Sequence, residues 1–169
     1  DVYKRQAVIG AGGIGNLRAH SCKQITQVDY IAVCDIEDKK LEKVAESVKA
    51  DVATNNYSEA IENDRVGAVI ISTDEENHYD VTMKAVALGK SVLIEKPFVL
   101  DLGEADNILA KAKETGADVF VGYTQRFRRK FLLAKEAVRR GQLGDIVFSM
   151  GKIYVTRAVG EAVASRSPN

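Results

Sequence analysis

The sequence predicts an α/β protein: a doubly wound parallel sheet with helices on both faces. Three observations carry that expectation. Short apolar runs at 7–9, 30–34, 66–72, 91–94 and 118–122 alternate with helix-period segments, the rhythm of a parallel sheet linked by crossover helices. Two of them, Val69-Ile70-Ile71 and Val92-Leu93-Ile94, are apolar on consecutive residues, as strands covered on both faces must be. The first run also passes straight into Gly10-Ala11-Gly12-Gly13-Ile14-Gly15, a strand-to-helix turn of the kind that approaches a phosphate.

The elements follow in order. Ala7-Val8-Ile9 reads as the first, central strand, but Lys4, Arg5 and Gln6 stand where apolar residues are expected. Residues 1–6 therefore read as a non-native lead-in. In the turn, Gly10 permits the tight bend, Gly12 lets the backbone approach a pyrophosphate, and Gly15, where the helix opens, lets it pack closely on the strand. The amides of this first turn, at Gly13 and Ile14, then face the phosphates at the positive end of the helix dipole. The second strand, Tyr30-Ile31-Ala32-Val33-Cys34, ends on Asp35. That carboxylate accepts hydrogen bonds from ribose hydroxyls and repels a 2′-phosphate, which favours NAD over NADP. Lys39 and Lys40 just beyond it read as solvated charges at the start of a helix.

Leu41, Val44, Ala45 and Val48 share one face of that helix. Residues 51–56 read as a short third strand or a loop. After 66–72, Thr73 with Glu76 spells a capping box, and Val81, Ala85, Val86 and Leu88 make the next apolar face up to Gly89. Beyond 91–94, Asp101 with Glu104 spells another box, followed by a face of Leu102, Ala105, Ile108, Leu109 and Ala112 and a cap at Gly116. From 125 to 140 the periodicity predicts an amphipathic helix with Phe127, Phe131, Leu132, Ala134 and Val138 on its apolar side, closed by Gly141. A long strand of different character is expected over 145–156, where Ile146, Phe148 and Met150 alternate with smaller or polar residues, and 160–169 has loop composition. The domain reading is 1–124 for the nucleotide-binding domain, then 125–169 for a connecting helix and the truncated start of an α+β substrate domain.

Composition narrows the partners. Among 169 residues, 24 basic and 24 acidic side chains cancel, so bulk charge recruits neither nucleic acid nor an anionic membrane. No apolar run reaches the roughly 18 residues of a membrane span. Cys22 and Cys34 are the only cysteines, too few for a disulfide framework or a zinc set. Both read as small buried hydrophobes. With no signal-peptide pattern at the start, the expectation is a reducing cytoplasm and a small-molecule partner.

The fourth run, 91–94, ends on Glu95-Lys96-Pro97. With the glycine turn and Asp35 stand Ile71-Ser72-Thr73 followed by His78, Gly122-Tyr123-Thr124-Gln125-Arg126-Phe127, and Gly141-Gln142-Leu143-Gly144-Asp145-Ile146. In this ordered set the chain resembles the glucose-fructose oxidoreductase, inositol dehydrogenase and rhizopine catabolism (Gfo/Idh/MocA) family, over about residues 7–154. The resemblance implies a Rossmann domain followed by a substrate domain, a nicotinamide cofactor, a sugar, cyclitol or related polyol substrate, and a homo-oligomeric parent enzyme. It further implies that Lys96 lies near the nicotinamide and the substrate hydroxyl and that a cis bond precedes Pro97; Glu95, beside the lysine, is the candidate to position it.

The chemistry agrees, because hydride leaves an alcohol carbon only as the hydroxyl proton is lost, and Lys96 is the candidate to accept or relay it. Partial desolvation beside an oxidised nicotinamide lowers an ammonium pKa. Thr73, Lys96 and Tyr123 each follow the carboxyl end of a strand, where such sheets bind ligands. His78 either lines the nicotinamide side of the cleft or sits in the first turn of a helix. Gln125 and Arg126 either contact ligand at the cleft mouth or merely open a helix. The family commonly has Pro-Asn after the threonine; this chain has Asp74-Glu75. The aspartate and histidine that the family's second domain supplies have no counterpart here, so the chain reads as an amino-terminal fragment that binds cofactor without efficient turnover. Two rivals are a non-catalytic nucleotide sensor or assembly protein with the same fold, and an S-adenosylmethionine methyltransferase, against which the Glu95-Lys96-Pro97 triplet weighs.

Overall fold

The computed structural model describes residues 4–154, 156, 157 and 161. Six strands form one sheet in the order β3-β2-β1-β4-β5-β6, every pair parallel. The chain starts at the centre. From β1 (Arg5–Ile9) it winds outward through α1 (Gly13–Gln24), β2 (Tyr30–Cys34) and α2 (Asp38–Val48) to β3 (Val52–Thr54). It then returns through α3 (Tyr57–Glu62) to the other side of β1 and winds the opposite way, through β4 (Ala68–Ile71), α4 (His78–Ala87), β5 (Ser91–Ile94), α5 (Leu102–Thr115) and β6 (Val119–Val121). The direction of winding reverses between β1 and β4, which opens a crevice at the carboxyl ends of those two strands.

Successive strand side chains point to opposite faces, and both faces are covered. Ala7, Ile9, Ala32, Cys34, Val69, Ile71, Val92 and Ile94 pack with Val81, Ala85 and Val86 of α4 and Ala112 of α5. Val8, Ile31, Val33 and Ile70 pack with Ala19 and Cys22 of α1 and with Leu41, Val44 and Val48 of α2. This double cover is why the strands read as continuous apolar runs. Truncating one fully buried residue such as Ile71 to alanine removes about 2–5 kcal/mol.

Several expectations need correction. β1 begins at Arg5, two residues ahead of the expected Ala7: Arg5 is in register with Tyr30, and Gln6 with Ile31 and Ala68. Arg5 is tolerated because it is exposed, and Gln6 because its Oε1 accepts from the Cys22 thiol at 2.8 Å. α1 opens at Gly13, two residues ahead of Gly15. Thr73 and Glu76 form no capping box; a single 3-10 turn, Glu75–Asn77, starts after Asp74 without a side-chain cap. On α5, Leu102 and Leu109 are exposed and only Ile108 and Ala112 are buried, because the helix lies near the sheet's end, where it has neighbours along a narrow stripe. Leu88 is likewise half exposed at the end of α4.

The chain divides into two compact units, 1–124 and 125–169. The helix expected from 125 to 140 is split: a 3-10 turn, Thr124–Phe127, precedes α6 (Arg129–Arg139), and Gly141 follows at φ 68°. The strand expected over 145–156 does not form among the described residues. A strand is fixed by its ladder, and none of the described residues supplies a partner for 145–154. Val155, and all of the expected loop 160–169 except Glu161, lie outside the described residues.

Candidate functional site

Two glycines build the crevice by letting backbones touch. Gly10 has φ +92°, and a Cβ there would lie 2.5 Å from the Ser72 carbonyl oxygen; at Gly15 a Cβ would lie 1.6 Å from the Gly10 oxygen. The exit of β1 is thereby pressed between β4 and α1. Gly12 and Gly13 differ: a Cβ on either would meet nothing within 4 Å. Gly12 caps α1 with no side-chain hydrogen bond, and the first turn, with Gly13, Ile14 and Gly15, holds no acid. Amides without partners therefore face open space.

Gly10, Gly12, Asp35, Ile36, Glu37, Asn55, Ser72, Thr73 and Asp74 are among the residues that line a cleft of about 240 Å³. Asp35 is fixed by two amides: its Oδ2 accepts from Ala11 N–H at 2.6 Å and its Oδ1 from Glu37 N–H at 2.8 Å. A carboxylate has about four acceptor positions, so two remain for hydroxyls. The Asn55 amide ties this end down, donating to the Asp35 carbonyl at 3.0 Å and to Asp38 Oδ1 at 2.9 Å. Lys40 is ion-paired with Glu37, and that hydrogen bond raises its pKa. On the opposite wall, Ser72 Oγ and Thr73 Oγ1 are buried and have no hydrogen-bond partner among the described residues. Buried hydroxyls are nearly always satisfied, so two orphaned ones lining a cleft are fitted for a ligand. Cys34 also lines it, but burial pushes its thiol up to about 12, which makes it an inert wall.

Glu95 and Lys96 are not among the cleft-lining residues. They follow β5 one strand over from Thr73, and Glu95 N–H donates to the Ile71 carbonyl at 2.9 Å. The Glu95 carboxylate turns toward α1, where Arg18 Nε donates to it at 2.7 Å, and rests on Gly122, where a Cβ would be 2.9 Å from Glu95 Oε2. Lys96 is exposed and the Lys96–Pro97 bond is cis. His78 is the first residue of α4. Only 1% exposed, it stands between two carbonyl oxygens, Nδ1 at 2.8 Å from Pro97 and Nε2 at 3.2 Å from Thr73. Tyr123 follows β6 and is half exposed; Gln125 opens the second unit. Sequence reasoning missed Arg18, Asn55, Ser72 and Glu37. The only clue to Arg18 was its place one turn into α1 from Gly15.

The family model for the oxidoreductase family with an NAD-binding Rossmann fold, Gfo/Idh/MocA, matches residues 4–123. Myo-inositol 2-dehydrogenase of Thermotoga maritima is 31% identical over 140 residues, covering 83% of this chain and 42% of that protein. The NAD(+)-named scyllo-inositol 2-dehydrogenase of Bacillus subtilis is 30% identical over 148 residues, covering 87% and 43%. Among solved structures, a probable dehydrogenase from Thermotoga maritima superposes with a TM-score of 0.79 at 31% identity, over 83% of this chain and 42% of that one. The chain thus spans less than half the length of the relatives it matches. With the glycine turn, the reversed winding and the matched family model in agreement, the chain belongs to the Gfo/Idh/MocA oxidoreductase family and carries its NAD-binding Rossmann fold.

Proposed function

We propose that this chain is the cofactor-binding part of an NAD-dependent dehydrogenase that moves hydride between nicotinamide and a hydroxyl-bearing carbon of a polyol, with cyclitols such as inositol as the first substrates to test. The observation that carries the reading is the pair of orphaned hydroxyls, Ser72 Oγ and Thr73 Oγ1, in a cleft whose other wall is the fixed carboxylate of Asp35. A dinucleotide fits these groups. The open amides at Gly12, Gly13 and Ile14 hold its diphosphate at the positive end of α1, and Asp35 holds the ribose hydroxyls. Ser72 and Thr73 offer hydrogen bonds toward the nicotinamide half. When bound, the nicotinamide supplies the hydride acceptor. Lys96 holds or relays the hydroxyl proton. Residues 125–169 are read as the start of the substrate-binding part, with Gln125 at its entry.

NAD is favoured over NADP because Asp35 and Glu37 stand where a 2′-phosphate would come, and the charge of Lys40 is already engaged by Glu37. Fluorescence titration of this chain tests it: NADH is expected to bind at least about tenfold tighter than NADPH, a difference of 1.4 kcal/mol. Equal affinities overturn the preference, and no binding of either overturns the reading. Turnover is followed by NADH absorbance with a panel of polyols, in the full-length dehydrogenase of which this chain is proposed to be the cofactor-binding part. Lys96→Ala is expected to abolish turnover and spare NADH binding, an outcome that a non-catalytic sensor cannot give.

A further inference from the structure

We propose that Arg18 and His78 are positioning residues that hold the Glu95-Lys96-Pro97 segment from its two sides and so fix where the Lys96 amine is presented; this rests on the reading of Lys96 as the proton-handling group. β5 ends at Ile94, and Lys96 is exposed, so neither the sheet ladder nor burial holds the lysine. Its neighbours are held instead. On one flank, Arg18 reaches from α1 to the Glu95 carboxylate, with Nε at 2.7 Å and a second contact from the guanidinium. Both side chains are well shielded, 20% and 14% exposed, and a pair so sheltered is costly to break because the surviving charge is stranded.

The carboxylate lies against Gly122, where a Cβ would come within 2.9 Å of Glu95 Oε2. On the other flank, His78 of α4 faces the Pro97 carbonyl at 2.8 Å with one ring nitrogen and the Thr73 carbonyl at 3.2 Å with the other. A neutral imidazole carries one N–H, and the shorter contact, to the Pro97 carbonyl, is the one that ties α4 to the loop after β5. α1 and α4 pack on opposite faces of the sheet, so two helices from opposite sides converge on three consecutive residues. Catalysis is sensitive to such placement: a misplacement of about 1 Å costs on the order of 10²-fold.

The test uses the full-length dehydrogenase of which this chain is proposed to be the cofactor-binding part, with the variants Arg18→Met, Arg18→Lys, His78→Leu, Glu95→Gln and Arg18→Met/Glu95→Gln, each checked for folding by thermal melting. The first readout needs no cofactor. Labelling of the Lys96 amine by acetic anhydride, quantified by mass spectrometry against the exposed Lys113, is expected to change at least about threefold in Arg18→Met and His78→Leu. The second is turnover of the polyol that wild type oxidises fastest. Here kcat is expected to fall about 10- to 100-fold, while KM for NAD stays within about threefold, a split that marks lost positioning. Arg18→Lys recovers part of the loss. The double variant is no worse than Arg18→Met alone, because both substitutions cut one link. Unchanged Lys96 labelling in both Arg18→Met and His78→Leu overturns the proposal, as does additivity in the double variant. Wild-type protein that binds no NADH overturns the role of Lys96 and leaves the labelling result to decide the positioning alone.

Discussion

At Gly12 and Gly15 the same residue type does opposite work, three positions apart. Gly15 is a contact residue of the fold: its missing side chain is what lets α1 lie on the Gly10 carbonyl, and a Cβ at 1.6 Å from that oxygen has nowhere to go. Gly12 faces open space, and its backbone, at φ −65° and ψ −168°, is one that alanine adopts without strain. Its missing side chain matters only to something not made of protein. Gly15→Ala is accordingly expected to cost more than about 3 kcal/mol or to prevent folding, since the clash is with backbone. Gly12→Ala is expected to change stability by less than about 1 kcal/mol, yet to weaken NADH at least about tenfold, or 1.4 kcal/mol. Urea denaturation and NADH titration on the two variants separate the roles. If Gly12→Ala binds NADH as wild type does, the diphosphate does not lie against that amide.

Among the elements, α5 shows a sequence cap realised and the segment after β4 shows one diverted. Asp101 Oδ1 accepts from the amides of Gly103 at 2.7 Å and Glu104 at 3.2 Å. Asp101→Ala is therefore expected to cost about 1 kcal/mol, read as a lower urea midpoint at unchanged slope. Thr73 and Glu76 have the same spacing, but the Thr73 hydroxyl is buried at the cleft and caps nothing; a pattern alone does not say which use a hydroxyl serves. The strands that were easiest to read, β2 and β5, match residue for residue, because a strand covered on both faces must be apolar throughout. β3 and β6, three residues each at the sheet edges, carry weaker patterns. α3 has six residues, too few to display a helical period. Within the site, the glycines, Asp35 and Thr73 were legible because strand, turn and acid are local in sequence. The Arg18–Glu95 pair spans 77 positions and was not, since only the parallel crossovers bring α1 and the exit of β5 together.

For the whole molecule, 24 basic and 24 acidic residues leave no net charge, so general charge repulsion is small near neutral pH and the response to alkali falls to individual buried groups. The two cysteines occupy different layers of the core: Cys34 packs on the α4 side of the sheet and Cys22 on the α1 side. Burial disfavours the thiolate in both places, raising Cys22 from the ordinary 9.0 to about 11 and Cys34 to about 12. An unfolded chain loses these protons from pH 9 upward while the folded chain keeps them. The folded state then binds more protons, and linkage requires stability to fall as pH rises. This contribution is fully present below the ordinary thiol value and lost as pH climbs through the raised ones. The loss draws on both layers at once, so it shows as a fall in global stability. Between about pH 8 and about pH 10.5, the melting temperature of wild type is expected to drop more steeply than that of Cys22→Ala/Cys34→Ala, by up to one proton's linkage per thiol. Loss of two sulfurs lowers the melting temperature of the double variant at every pH, so the slope and not the offset is the measurement. Parallel slopes would mean that these thiols ionise alike in the folded and unfolded chain, and that neither layer of the core is as dry as its packing indicates.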